Sequence, residues 1–417
     1  MPDLHDYLRD ASSSKPPSLS PAQEKFLQQL DIEEMKPGTI LRDFQVLLDF
    51  IGPGGIEVSP AQKVLSVRAL ENINRLLSHP IEIQLRRPEF KSYPHIKGLY
   101  MLLRSSGLSY IETQGNKHFL RFDPDVLESW NSLNPTERYF NLLEMWLLWG
   151  SDETSGDRQT VSDHFRQCLM FWRMTPNRGR TFANYIEQQS LIYSPGMHNV
   201  ALLELFGCIE VQNGRPEPRK GWRIKKLKRL SWGNILLLFL YRLMYETNEE
   251  DKQKYRGRLG VWQSSFQPFF SQWQRNLAIA PQPKFRQGLH IFKVSFASLA
   301  NNTWRRLAIP ADRDLLSLSS AILESVNFED DELHCFIWTN RLGKTVRVNH
   351  PYLQEPPFTT EFAIGDLPLK EGHSMSYLFD FEKGWEFKVE LERIEPADSS
   401  TEPRILESSG EAPAQYD

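Results

Sequence analysis

The sequence predicts an α+β protein, with two mainly helical modules in tandem and then a domain with a mostly antiparallel sheet. Three observations carry this. Helical apolar periodicity dominates up to about residue 245 and is twice followed by a hairpin signal. From about residue 288 the pattern changes to short alternating strands around one helix. The chain has 417 residues, the length of two or three domains at roughly 150 residues each.

Composition narrows the function classes. Hydrophobic residues are 40% and charged residues 24% of the chain, which excludes a wholly disordered or membrane-embedded protein. Lys and Arg number 49 against 53 Asp and Glu, so the formal charge is −4. A uniformly basic coat for nucleic acid is excluded, and any such contact must come from a local patch. Cys168, Cys208 and Cys335 form no CxxC pair, which argues against a disulfide framework or cysteine-bound zinc and fits a reducing cytoplasm. The opening MPDLHDYLRDASSS has no apolar stretch of the signal-peptide kind. The longest apolar run, Ile235–Leu240, is far short of the ~20 residues of a membrane helix and reads as a core helix. The expectation is a cytoplasmic protein without a membrane partner, cofactor or metal, and of open oligomeric state.

Residues 1–18 end in SSSKPPS and read as a disordered leader. The first module spans 19–133. Ser20 and Ser59 each open SPAQ, in which Ser caps, Pro takes the first helical position and Gln can bond back. Helices are expected over 38–51, 60–78 and 93–106, with Gly107 as the stop. A hairpin follows over 108–122, turning at Gln114-Gly115-Asn116. Three helices and a hairpin are the outline of a winged helix.

The second module spans 134–245. Asn134, Pro135 and Glu137 start a helix that Gly150 ends, with Tyr139, Leu142, Leu143, Trp146 and Leu147 on its apolar face. A helix over 197–206, strands around GCIEVQNG and GWRIKKLKRL, and a helix from Trp232 repeat the winged-helix-like outline. The connecting segment 246–286 places Trp262, Phe266, Phe269, Phe270 and Trp273 on one helical face, interrupted by Pro268. PQPKF at 281–285 reads as a linker.

The third domain spans 287–395. LHIFKVSFA and NTWRRLAIP are a strand pair around Asn301-Asn302, and a helix capped by Asp314 runs over 314–326. HCFIWT and KTVRVNH frame a turn at 340–343, and MSYLFDF and WEFKVELERI flank Glu382-Lys383-Gly384. Trp385, Phe387, Val389 and Leu391 alternate with Glu386, Lys388, Glu390 and Glu392, the pattern of a half-buried antiparallel strand. From Pro396 the chain is acidic and without period, and 396–417 reads as a disordered tail.

Within this domain, a set of residues recurs in a known order. Trp304-Arg305-Arg306 with Pro310 comes first, then Leu318 to Ile322, then Asp330-Asp331 with Leu333 and Phe336. Leu367–Leu369, Tyr377, Asp380-Phe381 and Trp385 complete it. In these residues the domain resembles the plasmid pRiA4b Orf3-like family, α+β domains of bacterial proteins of unknown activity. Two departures stand out. Glu332 occupies the place of the His in the family's Asp-His-Leu element, with His334 two positions on. Asp380 to Phe387 lacks the Gly, second Asp and His of the Asp-Phe-Gly-Asp-x-Trp-x-His element. If those groups served as ligands or acid–base pairs in the family, this chain has lost them, so the balance leans away from an enzyme.

The strongest local charge signal is the run Arg215, Arg219, Lys220, Arg223, Lys225, Lys226, Lys228 and Arg229, offset by Glu217 alone. On a wing strand these side chains can straddle a phosphate backbone; they can equally form a solvated face or pair with the acidic tail. Arg86, Arg87, Lys91, Lys97 and Arg104 surround the helix that would read a groove. One of Arg305 and Arg306 is expected to pair with Asp331 or Asp380, and Tyr377, Asp380 and Trp385 either line a small pocket or pack in the core. His334, His350 and His373 lack the spacing of a metal motif. The expected role is a non-enzymatic nucleic-acid-binding or mobile-element accessory protein with DNA or another nucleic acid as partner. A protein–protein scaffold is the alternative. A hydrolase or nuclease built on Asp330, Asp331 and Asp380 is the third possibility.

Overall fold

The first helix starts where its capping box is written. In α1 (Pro21–Gln29) Ser20 accepts from the Gln23 amide, and the Gln23 side chain accepts from the Ser20 amide at 2.9 Å. In the computed structural model, residues 19–150, 163–246, 259–278, 285–297, 303–339, 345–397 and 402–416 are described. The leader 1–18 and the turns at 301–302 and 340–343 lie outside them. The chain divides into two units, 1–279 and 280–417. Mixed helix and strand with a large C-terminal antiparallel sheet is the architecture observed.

In the first unit α2 (Ile40–Ile51), β1 (Ile56–Val58), α3 (Val67–Leu76) and α4 (Pro94–Ser105) precede the hairpin of β2 (Ser109–Gln114) and β3 (Lys117–Phe122). Gly115 turns that hairpin with φ +60, which favours glycine. The three strands lie in the order β1-β3-β2. The second SPAQ departs from expectation: Ser59 accepts from Val64 in a tight turn, and the helix begins only after Ser66. The turn carries Val64 and Leu65 into the core, where both are buried.

α5 (Pro124–Ser132) and α6 (Pro135–Glu144) follow, the latter capped by Asn134 and Glu137 as expected and continued by a π-helical turn, Met145–Trp149. Then come α7 (His164–Met174), β4 (Arg180–Thr181), α8 (Tyr185–Gln188), α9 (Ser190–Tyr193) and α10 (Met197–Leu205). β5 (Ile209–Asn213), β6 (Ile224–Arg229) and α11 (Ser231–Glu246) complete the set, with strands in the order β4-β6-β5. Helix, short strand, helices and hairpin thus occur twice, each time with the first strand beside the last.

The two third helices meet. Every residue of α4 is buried, and Gly98 lies against Leu202 of α10: a Cβ on Gly98 would sit 2.7 Å from Leu202 Cγ. His95 Nε2 and Glu204 Oε2 are 2.9 Å apart beside this contact.

The aromatic segment is less helical than its spacing predicts. Only α12 (Gln263–Phe266) is helix, because a polar stripe on α6 holds the rest by its backbone. Glu144 accepts from Gly260 and Trp262, Asn141 from Leu277, and Glu137 from Gln274 and Arg275. Burial pushes the Glu144 carboxyl up to about 7 despite these bonds. Trp273 stacks on Phe140 with centroids 4.5 Å apart.

The second unit contains β7 (Leu289–Phe296), β8 (Trp304–Pro310), α13 (Leu315–Val326), β9 (His334–Thr339), β10 (Thr345–Asn349), β11 (Ser374–Phe379), β12 (Trp385–Glu395) and β13 (Arg404–Ser409). The sheet order is β10-β9-β11-β12-β7-β8-β13, antiparallel throughout. The apolar alternation of β12 and the Leu315, Leu318, Ile322 and Val326 stripe of α13 meet in one core. The tail expected to be disordered instead supplies β13, which pairs with β8 and covers its open edge.

Replacing Gly98 by valine should cost about 1–3 kcal/mol through overpacking against Leu202. Urea unfolding should show the loss, and adding Leu202→Ala should restore part of it.

Candidate nucleic-acid interface

The basic run separates into an inner and an outer set. Arg223 is 5% exposed and its guanidinium is fully engaged. It donates to Glu217 at 2.9 Å, Gln188 at 3.0 Å and the Phe182 carbonyl at 2.8 Å, and also to the Ile224 carbonyl. Arg229 donates to Asn234 at 2.8 Å and the Thr175 carbonyl at 3.0 Å, and lies 4.8 Å over the Trp172 ring. These two arginines hold the second hairpin to its helices. They are not the phosphate-facing groups that the run suggested, because their donors are spent inside the fold.

The outer set lies on the surface. Lys226 stands between Thr181 of β4 and Gln212 of β5, and Lys228 stands opposite Glu210. All five of these residues are exposed, so this is the solvent face of the small sheet. Lys225 is the additional residue at the β5–β6 register shift and is exposed too. Arg215 and Arg219 are exposed in the preceding loop, and Lys220 lies 5.2 Å over the Tyr185 ring.

Two stretches far apart in sequence join here. The Gln84 amide donates to the Lys220 carbonyl at 2.9 Å, and the Arg219 amide donates to the Gln84 carbonyl at 3.0 Å. This exchange sets exposed Arg86 and Arg87 beside the 215–220 loop. Among the described residues none of Arg86, Arg87, Arg215, Arg219, Lys225, Lys226 and Lys228 forms an ion pair. β4 adds Arg180, with Arg178 exposed just before it. Sequence reasoning missed both, since a two-residue strand has no periodicity to detect.

α4 departs from expectation. Lys97 is 8% and Arg104 5% exposed, and Arg104 donates to the Ser109 carbonyl at 3.3 Å. Neither can reach a groove, because the helix that carries them packs against α10. Lys91 is exposed and pairs with Glu89 at 3.1 Å. In the first hairpin Lys117 pairs with Glu57 at 3.3 Å, and Arg121 pairs with Glu112.

The residues of the C-terminal domain are mostly structural. Arg305 is buried and donates to the carbonyls of Ser325 at 2.7 Å and Ser409 at 2.9 Å. Arg306 binds Glu392 at 2.7 and 3.0 Å and also Glu407. The expected pairing with Asp331 or Asp380 does not form. Asp331 accepts from the Tyr416 hydroxyl at 2.7 Å, and Asp380 accepts from the Glu382 and Lys383 amides, closing a turn at its own φ of +50. Asp330 accepts from the Ser320 hydroxyl at 3.4 Å. Trp304 lies under Lys293 and Arg306, and Trp385 packs on Phe328 at 5.0 Å.

Tyr377, Ser319 and His334 form a buried cluster. Ser319 Oγ is 2.7 Å from the Tyr377 hydroxyl and 3.3 Å from His334 Nδ1. Burial, with His350 at a ring distance of 4.7 Å, pushes His334 down to about 3. His373 is exposed and stands apart from this pair.

The comparisons with known proteins concern the C-terminal domain. Residues 289–415 match the model of the plasmid pRiA4b ORF-3-like protein family. The match reaches through β13 into the segment that binds Asp331. A crystal structure of a protein of unknown function from Methanosarcina mazei Go1 is similar at 24% identity, covering 31% of this chain and 74% of that one, with a TM-score of 0.29. Among curated proteins none is significantly similar to this chain. Among the described residues no helix is long and apolar enough to cross a membrane.

Two outcomes follow from this geometry. Arg223→Ala should cost about 3–5 kcal/mol in denaturant unfolding, because it strands a buried partner set; Lys226→Ala should stay within about 0.5 kcal/mol. The other concerns pH. His334 binds its proton near the ordinary 6.5 when unfolded but only near 3 when folded. Its stabilising contribution is therefore complete above 6.5 and lost as pH falls toward 3, with a slope up to about 1.4 kcal/mol per pH unit. His334→Phe should flatten that part of the acid limb in thermal melts between pH 7 and pH 4.

Proposed function

We propose that the protein binds nucleic acid through the outer face of its second hairpin. The carrying observation is the junction of exposed cations without ion pairs among the described residues, from 86–87 and from 215–228, on one surface. Each helical module is read as a winged helix. The element order and the strand orders β1-β3-β2 and β4-β6-β5 support that assignment. The third helix of such a module usually reads the major groove. Here α4 and α10 occupy each other, so base readout by that route is closed and the hairpin is left to meet phosphates. Binding of this kind is strong at low salt, weak at high salt and indifferent to sequence.

A salt series with labelled DNA tests the reading. Wild type should show a steep loss of affinity with salt. Changing Lys225, Lys226 and Lys228 to Glu should weaken binding at least about tenfold and lower the slope by about 0.7–0.9 per lost contact. Arg86→Glu with Arg87→Glu should act in the same direction, while Lys117→Ala in the first hairpin should not. Wild type that fails to bind at low salt would refute the proposal.

A further inference from the structure

The surface described above contains a groove at the foot of the second hairpin. It lies between residues 181–183, which join β4 to α8, and the turn 214–217, and it encloses about 400 Å³. Small-ligand sites commonly span roughly 300–1,000 Å³. The walls differ in chemistry. Ala183 and Pro216 line it with apolar surface, over a Phe182 that is itself buried. Arg215 and Lys225 line it too, and both are exposed cations without an ion pair among the described residues. Glu217 supplies a fixed acceptor. It is held by the Arg223 guanidinium and the Tyr185 amide, each at 2.9 Å and each through Oε1, so Oε2 remains to accept from a ligand. Arg223 also offsets the Glu217 charge, so a phosphate at Arg215 and Lys225 meets a net positive site.

We infer that this groove seats one unpaired nucleotide of a single-stranded nucleic acid. The inference rests on the nucleic-acid reading of the surrounding surface and narrows it. The phosphate lies against Arg215 and Lys225. The base enters over Ala183 and Pro216 and donates an N–H to Glu217 Oε2. A base in an intact duplex cannot enter in this way, because both its faces are stacked within the helix. The surface lysines Lys226 and Lys228 lie outside the groove and meet either form.

The test is fluorescence anisotropy with a labelled single-stranded DNA and a blunt duplex of the same length. Wild type should bind the single strand about tenfold more tightly, the order of one base contact. Ala183→Trp fills the groove from an exposed position and should remove that preference while leaving duplex affinity unchanged. Arg215→Ala is the second variant, should the tryptophan disturb folding, and should weaken the single strand more than the duplex. Equal affinity of wild type for both forms would overturn the groove assignment while leaving the nucleic-acid reading intact. So would a preference that neither variant alters. Wild type binding neither form at low salt would remove both.

Discussion

The contact of α4 with α10 is the constraint on which the first unit depends. Gly98 lets Leu202 approach to a distance no side chain would permit, and the His95–Glu204 pair lies beside it. Apolar surface buried in this way is worth roughly 25 cal/mol per Å², and α4 contributes its whole circumference. Two helices that each precede a hairpin are thereby turned into core. The same contact joins two modules that the chain writes one after the other. The exchange of backbone bonds between Gln84 and residues 219–220 links the same two stretches of chain.

The joined arrangement sorts the charges. A cation close to buried carbonyls and side-chain oxygens spends its donors there, as Arg223 and Arg229 do. A cation one or two positions away on the other face of a strand keeps its donors for whatever arrives from solvent. Lys225, Lys226 and Lys228 are of this second kind. The first hairpin carries Lys117 and Arg121 at comparable places, yet Glu57 and Glu112 neutralise them. The cations of the first hairpin are thus neutralised, whereas Lys225, Lys226 and Lys228 of the second form no ion pair among the described residues.

The C-terminal domain shows how motif residues can serve architecture. Arg305 ties the end of α13 to β13 through carbonyls, and Arg306 of β8 is shared by Glu407 on the adjacent β13 and Glu392 on β12, on the far side of β7. Asp380 shapes the turn before β12, and Asp331 fastens the last residues of the chain. With these carboxylates committed to turn and tail, the three aspartates that suggested a hydrolytic site are engaged one by one. Tyr377, Ser319 and His334 sit together at α13, a buried polar group joined through the Ser319 hydroxyl.

Much of the fold was legible in local chemistry. The capping boxes at Ser20 and Asn134, the Gly115 turn, the stripe of α13 and the alternation of β12 each follow from interactions within a few residues. The resemblance over residues 304–385 was legible for the same reason, since side-chain order is a property of sequence. Other features needed distant partners. The second SPAQ became a turn because Val64 and Leu65 had a core to reach, and the tail became β13 because β8 had an edge to cover. Arg223 and Lys226 stand three residues apart in one run of like charge, and nothing local separates them. Charge and spacing belong to the sequence. Which face of the strand meets Glu217, Gln188 and Phe182, and which meets water, is decided by packing over distances the sequence does not encode locally.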